Sequence, residues 1–341
     1  MKIKWVFLFF YSLNIFSASP FDLSPGDAQG IFGLTNLAPP LKLSPEETQR
    51  RFKMFDYDHH FKVLSVKKYR EKIDLEIFLI KLESINPVDH SPLITEFYWY
   101  RSKLAGKPRS RPLIIISPPI MGVDPLEKLI AVAFTSNDPF YNTFIIKYDE
   151  DINDKTRPIS AISNSFLKST TQARILLDFA ETQKEFIDVT KMACYGMSLG
   201  GIMSALFLEV EPRLKAAIII VGGGNFPEIL AYSDQFIVKG YRRARMKAEN
   251  IKSIDELIKR ARESILFDPL FFASKRAPRD VFMVMADIDK AVPTKNQFEL
   301  WMAFGKPKNN NFNEGHFQTM LLNLPKHKPL MEYLKWRLNL E

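Results

Sequence analysis

The chain has a single cysteine in 341 residues, Cys194. One cysteine cannot close an internal disulfide, and no Cys/His spacing resembles a zinc pattern. Histidine is scarce as well, with five in all. There is no internal repeat and no low-complexity tract. Forty-seven basic side chains against 39 acidic ones give a formal charge of +8. That is a modest excess, which attracts anionic surfaces only weakly. No nucleic-acid-binding motif accompanies it, so nucleic acid is not an expected partner. The leading apolar stretch, Trp5 to Phe16, is too short for a comfortable membrane span. It follows Lys2 and Lys4 and precedes Ser17-Ala18-Ser19, so residues 1–19 read as an export signal. Cleavage after Ser19 would place Pro20 beside the scissile bond; cleavage after Ser17 is the alternative, and an uncleaved anchor is a further one. Without a cysteine near this point a lipid-anchored lipoprotein is not expected. Export without disulfides points to a bacterial periplasm or the outside.

What is present is a large apolar fraction, 46%, enough for one large α/β domain with an N-terminal addition and an inserted cap. Residues 20–110 form the N-terminal extension and first strands. Phe21 to Pro40 is an extended lead-in. Ser44-Pro45-Glu46-Glu47 opens a helix reaching about Met54. His60 to Val66, Lys72 to Leu82 and Leu93 to Tyr100 read as strands. Residues 111–341 form the core. Arg111 to Ser117 is a continuous apolar strand of the kind buried inside a parallel sheet. A helix from Asp124-Pro125 to about Thr135, a strand over Asn142 to Tyr148 and an amphipathic helix over Ser163 to Glu185 follow. Short buried strands are expected at Met192 to Tyr195, Leu214 to Val221 and Asp280 to Ala286. Helices are expected from Val292 to Phe304 and from Pro329 to Leu338. Strands alternating with helices predict a doubly wound, mostly parallel sheet. Residues of about 223–279 break the pattern and read as an inserted helical cap. They carry the basic run Lys239 to Arg245, read as a solvated helix face or as attraction to acidic substrates or an anionic membrane.

The segment Lys191-Met-Ala-Cys-Tyr-Gly196-Met197-Ser198-Leu199-Gly200-Gly201-Ile202-Met203 is a short strand, Gly-x-Ser-x-Gly, then an apolar helix. Cys194, in its strand, has a buried apolar role by default. A serine hydroxyl is a poor nucleophile until it is held out of a strand end and given to a base. The turn at Ser198 leaves no room for side chains two residues either side, hence Gly196 and Gly200. The helix beginning at Leu199 aims free N–H groups where negative charge would develop. This order resembles the nucleophile elbow of α/β-hydrolases. In that fold an acid and then a histidine follow the serine in the chain. Asp289, past the strand Val281 to Ala286 and just before Val292-Pro293, is the candidate acid. Asp287 is the alternative and Glu228 a third. His316, in Asn313-Glu314-Gly315-His316-Phe317 before a helix, is the candidate base. His59, His60 and His90 precede the serine, and His327 lies near the C-terminal helix.

With these motifs the chain resembles the α/β-hydrolase superfamily, and within it serine esterases of the dienelactone-hydrolase and acetylxylan-esterase-like type, from about Arg111 to the C-terminus. The resemblance rests on Gly196-Met197-Ser198-Leu199-Gly200-Gly201, Asp289 before Val292-Pro293, and Gly315-His316. It implies a Ser198–His316–Asp289 triad forming an acyl-enzyme, with no metal or organic cofactor. The oxyanion hole is expected from the N–H of Leu199 and that of Ile120, the first donor past Pro118-Pro119, which lack one. This loop departs from the His-Gly common in the family. The expected function is an exported carboxylic ester hydrolase acting on a small-molecule or lipid ester. The alternatives are a lipase or phospholipase with the cap as lid and membrane contact, a serine peptidase, and a binding protein on a hydrolase fold. A prolyl-oligopeptidase type would bring a propeller that the roughly 90 residues before the core cannot supply.

Overall fold

Ser44 starts the first helix as its side chain dictates. In a computed structural model of the chain, its Oγ accepts a hydrogen bond from the Glu47 N–H at 3.2 Å, and Pro45 opens α1 (Pro45–Lys53). The structure describes residues 41–103, 110–122, 125–137, 140–148, 154–323 and 328–340. The export signal, the lead-in through Pro40, Asp124 and His327 lie outside the described residues.

The alternating N-terminal segments become β1 (Lys62–Glu71), β2 (Leu75–Ile85) and β3 (Pro92–Ser102), an antiparallel flank. The apolar runs become β4 (Arg111–Ser117), β5 (Asn142–Lys147), β6 (Ile187–Met197), β7 (Leu214–Ile220) and β8 (Val281–Ala286). A last strand, β9 (Lys308–Phe312), closes the edge. The nine strands run in the order β1-β2-β3-β5-β4-β6-β7-β8-β9, parallel from β5 to β9 and antiparallel from β1 to β5. β4 sits between β5 and β6, which is where a strand apolar on both faces belongs.

Between the strands lie α2 (Pro125–Ser136), α3 (Ala161–Glu181), α4 (Leu199–Val210) and α8 (Thr294–Ala303), with α5 (Phe226–Tyr232), α6 (Phe236–Ala248) and α7 (Ile254–Ser264) in the segment joining β7 to β8; α9 (His316–Leu322) and α10 (Lys328–Arg337) follow β9. Successive strand residues point to opposite faces, so each strand feeds two cores. Leu113, Ile115, Met192, Cys194, Met283 and Met285 pack with side chains of α3, α4 and α8. Ile114, Ile116, Ala193, Tyr195, Phe282 and Val284 pack with side chains of α2, α9 and α10. The parallel strands are therefore covered on both sides, as a doubly wound fold requires.

A third apolar cluster lies beneath α5, α6 and α7. Leu230, Tyr241, Leu257 and Ala261 meet Phe166 of α3 and Leu199 and Met203 of α4. Phe55, just past α1, packs at a tilt against Phe267 with ring centroids 4.8 Å apart. One buried carboxylate draws the two ends of this helical segment together. Asp268 accepts from the N–H groups of Asn225 (3.1 Å), Phe226 (2.6 Å) and Leu270 (3.0 Å).

Several boundaries differ from the sequence expectation. β6 starts at Ile187, not Met192, because Ile187 reaches the register of Arg111 on β4. α3 stops at Glu181, where the Thr182 hydroxyl donates to the Phe179 carbonyl. β9, Lys-Asn-Asn-Asn-Phe, was not expected, since it has no apolar pattern. Its residues are all half-buried, and backbone pairing with β8 from Phe282↔Lys308 to Ala286↔Phe312 defines it. The basic run of α6 is not one solvated face. Arg245 is buried and Arg242 donates to the carbonyls of Leu230 and Ser233, while Arg243 is exposed.

Candidate active site

β6 delivers Ser198 to the carboxyl end of the parallel strands, and α4 leaves immediately after it. Ser198 has φ 57° and ψ −123°. A non-glycine residue there costs on the order of 1–3 kcal/mol and persists only when its surroundings over-determine it. They do. The Ser198 N–H donates to the Ile220 carbonyl at 2.9 Å, and its carbonyl accepts from Ile202 at 3.1 Å, the first turn of α4. A Cβ on Gly196 would lie 2.0 Å from the Gly200 carbonyl oxygen; one on Gly200 would lie 2.0 Å from that of Ser117. The first is the collision expected across the turn. The second comes from the end of β4, which only the folded sheet brings there.

β8 ends at Ala286 and is followed by the loop carrying Asp289. The Asp289 side chain is fully buried. Its Oδ1 accepts from the N–H groups of Ala291 (2.8 Å) and Val292 (3.0 Å). Its Oδ2 lies 2.6 Å from His316 Nδ1. His316 is the first residue of α9 rather than part of the loop before it, with Gly315 as the cap. Its Nε2 lies 2.9 Å from Ser198 Oγ. An ionised carboxylate only accepts, so Nδ1 carries the proton it donates to Asp289, and Nε2 is left to accept the Ser198 O–H. Ser198, His316 and Asp289 thus form one line of hydrogen bonds, the imidazole joining a serine and an acid that stand 91 positions apart in the chain (198 and 289). Such a line can take the serine proton as the oxygen attacks and return it to a leaving group.

The other candidates lie elsewhere. Asp287 has its N–H on the Phe312 carbonyl and one buried carboxylate oxygen without a partner; burial pushes its carboxyl up. Glu228, on α5, pairs with Arg262 (3.1 Å) and Lys295 (2.6 Å). His59 faces Asp178 at 3.3 Å. Cys194 is buried, its Sγ directed at the Ser204 and Ala216 carbonyls, and burial pushes its thiol up to about 12, so it stays protonated. Leu199 is the first residue of α4, and Ile120 sits in the turn after Pro118-Pro119, packed against the cluster that contains Leu199. Among the described residues no group of three or more His, Cys, Asp or Glu side chains could hold a metal ion.

Sequence reasoning missed Gln297. It is fully buried on α8, and its Nε2 donates to Asp289 Oδ2 at 2.9 Å. The available signal was a polar residue on the inward face of a helix starting just after the acid loop.

No family model matches the sequence, and a search of curated proteins found no match. Solved structures do match. Acetyl xylan esterase from Paenibacillus sp. R4 superposes with a TM-score of 0.62 at 16% identity, over 86% of this chain and 93% of that one. Acetyl xylan esterase 1 from Thermoanaerobacterium sp. JW/SL YS485 gives 0.61 at 15% identity, over 90% and 97%. The acylaminoacyl peptidase of Pyrococcus horikoshii gives 0.53 at 13% identity, over 77% of this chain and 48% of that one. The chain has the α/β-hydrolase fold.

Proposed function

We propose that this chain is an exported serine hydrolase that cleaves carboxylic esters through an acyl-enzyme. The observation that carries the reading is the unbroken line Ser198 Oγ–His316 Nε2 and His316 Nδ1–Asp289 Oδ2, at 2.9 and 2.6 Å. His316 takes the Ser198 proton as Oγ attacks the carbonyl carbon, Asp289 steadies the resulting imidazolium, and the proton passes to the departing alcohol. The N–H groups of Leu199 and Ile120 are assigned to the oxyanion, with the start of α4 adding its positive end. Water, activated by the same histidine, then releases the acid. Export rests on Lys2, Lys4 and the apolar stretch through Phe16. The first test is fluorophosphonate labelling with intact mass, beside Ser198→Ala. We expect one adduct on the wild type and none on the variant, with turnover lowered at least about a thousand-fold. A folded wild type that takes up no label would overturn the reading in favour of a binding protein.

Water-insoluble esters are a second reading, favoured by the surface around Ser198. Met121 follows Ile120, Ile288 precedes the acid, and Phe317 follows His316; all three are more than half exposed. Tyr232 and Phe236, also more than half exposed, flank Asp234, whose N–H donates to the Lys290 carbonyl of the acid loop at 2.6 Å. Exposed apolar groups on the segments that carry the site residues suit contact with another apolar surface. A rate jump when the ester passes from monomer to micelle would support this reading, and a smooth saturation curve would overturn it.

A further inference from the structure

Asp289 can orient His316 only if its own carboxylate is held. Two of its bonds come from its own loop, through Oδ1. Those leave the carboxylate able to tilt about Oδ1. The oxygen that faces the imidazole, Oδ2, has one further partner, Gln297 Nε2 at 2.9 Å.

Every polar group of the Gln297 amide is used. The second Nε2 proton goes to the Val292 carbonyl at 2.8 Å, and Oε1 accepts from the Ala286 N–H at 3.1 Å. Turning the amide over would set its oxygen against a carboxylate and a carbonyl, and its NH2 against an N–H, so the neighbours define its orientation. One turn earlier on α8, the Thr294 hydroxyl donates to the Ala286 carbonyl at 2.8 Å. α8 therefore grips both backbone groups of the last residue of β8. From that fixed point Gln297 reaches across the acid loop to the carboxylate.

Resting on the serine-hydrolase reading, we propose that Gln297 is a positioning residue: it braces Asp289 Oδ2 against the end of β8, so that the carboxylate meets His316 Nδ1 in one orientation. It touches neither substrate nor serine. Its N–H also takes a share of the negative charge on Oδ2, and without it more of that charge faces the imidazolium. Burial makes both effects larger than they would be at the surface.

The test compares wild type, Gln297→Met and Gln297→Glu on p-nitrophenyl acetate, with active sites counted by fluorophosphonate titration. Met is close in volume and removes both donors and the acceptor. We expect kcat per titrated site to fall about 10–100-fold with KM nearly unchanged. The acid limb of the kcat/KM profile should move to higher pH, since the imidazolium is better stabilised. Gln297→Glu keeps the acceptor for Ala286 but sets a second carboxylate on Asp289. It should be the weaker enzyme at pH 8 and recover relative to wild type as the pH falls and the new acid becomes a donor. If the Met variant does not fold, the Glu variant's pH profile carries the test alone. A purely structural role would lower the number of titrated sites and leave kcat per site and both profiles unchanged; that result overturns the proposal. A wild type that takes up no phosphonate overturns the underlying reading and this role with it. A labelled wild type beside an indifferent Gln297→Met overturns the role alone.

Discussion

β1 and β4 belong to one sheet, yet nine of ten β1 side chains are exposed and six of seven β4 side chains are buried. β2 and β3 send Ile80, Leu82, Phe97 and Trp99 into the core, but β1 is held by backbone pairing with β2 and by charges laid across the strands. Glu76 of β2 bonds Lys68 of β1 (2.8 Å) and Arg101 of β3 (2.5 Å); Glu96 of β3 bonds Lys81 of β2 (2.8 Å). Such surface pairs add little stability each, but Lys67, Lys68 and Arg70 on an open edge discourage pairing with another chain. The parallel half is packed on both faces, and that is the half that carries the strained serine. A backbone held at φ 57° needs neighbours that cannot yield, and the doubly covered strands supply them.

The sharpest way to break this contrast is Gly200→Ala. Its Cβ would meet the Ser117 carbonyl oxygen at 2.0 Å and that of Pro118 at 2.6 Å, both backbone. We expect a loss of about 4 kcal/mol or more, or no fold at all, with phosphonate labelling lost even in molecules that remain folded. Urea melts read beside labelling would check it. Labelled, stable protein would mean the elbow is softer than its geometry implies.

A paired truncation measures the two halves directly. Ile115→Ala in β4 should cost about 2–5 kcal/mol, the range for emptying a buried aliphatic site. Val66→Ala in β1, 55% exposed, should stay within about 0.5 kcal/mol. Equal losses would mean that the flank is packed against something in solution.

The smallest effect concerns the far end of α4. This helix begins at the serine and carries Glu209 near its other end, buried, with neither carboxylate oxygen partnered. Burial, then the nearby Asp268 charge, push its carboxyl well above the usual range, against the pull of Arg276. The folded state therefore binds this proton more tightly than the unfolded one, and stability falls as pH rises past the unfolded carboxyl value of about 4.3. Gln has no proton to lose. Gln at this position should flatten the decline between pH 5 and 8 in thermal melts while matching wild type near pH 4; parallel curves would show that Glu209 does not set the slope.

Much of the parallel half is legible in the sequence. Continuous apolar runs such as Leu113 to Ile116 can only be buried on both faces, and an elbow needs Gly on each side of its serine for steric reasons that hold in any context. Asp289 and His316 followed from chain order, and the spacing before Val292-Pro293 favoured Asp289 over Asp287. Both sit in one turn, and only the fold shows Asp289 Oδ2 on the imidazole and Asp287 turned elsewhere. β9 was invisible because a polar edge strand is defined by its partner's backbone, which carries no side-chain pattern. Arg245 read as solvent-facing because a basic run looks alike whichever of its members turn inward.

What the chain determined by itself was local: periodicity, turn chemistry, and the Gly-x-Ser-x-Gly spacing, each set by forces acting within a few residues. The tertiary structure decided what depends on distant segments arriving at one place. It set the Ser117 carbonyl over Gly200, stitched residues 225 and 270 together through Asp268, and brought His316 to both Ser198 and Asp289. Hydrogen bonds between residues far apart in sequence leave no period or spacing to read, because either partner alone is an ordinary polar side chain.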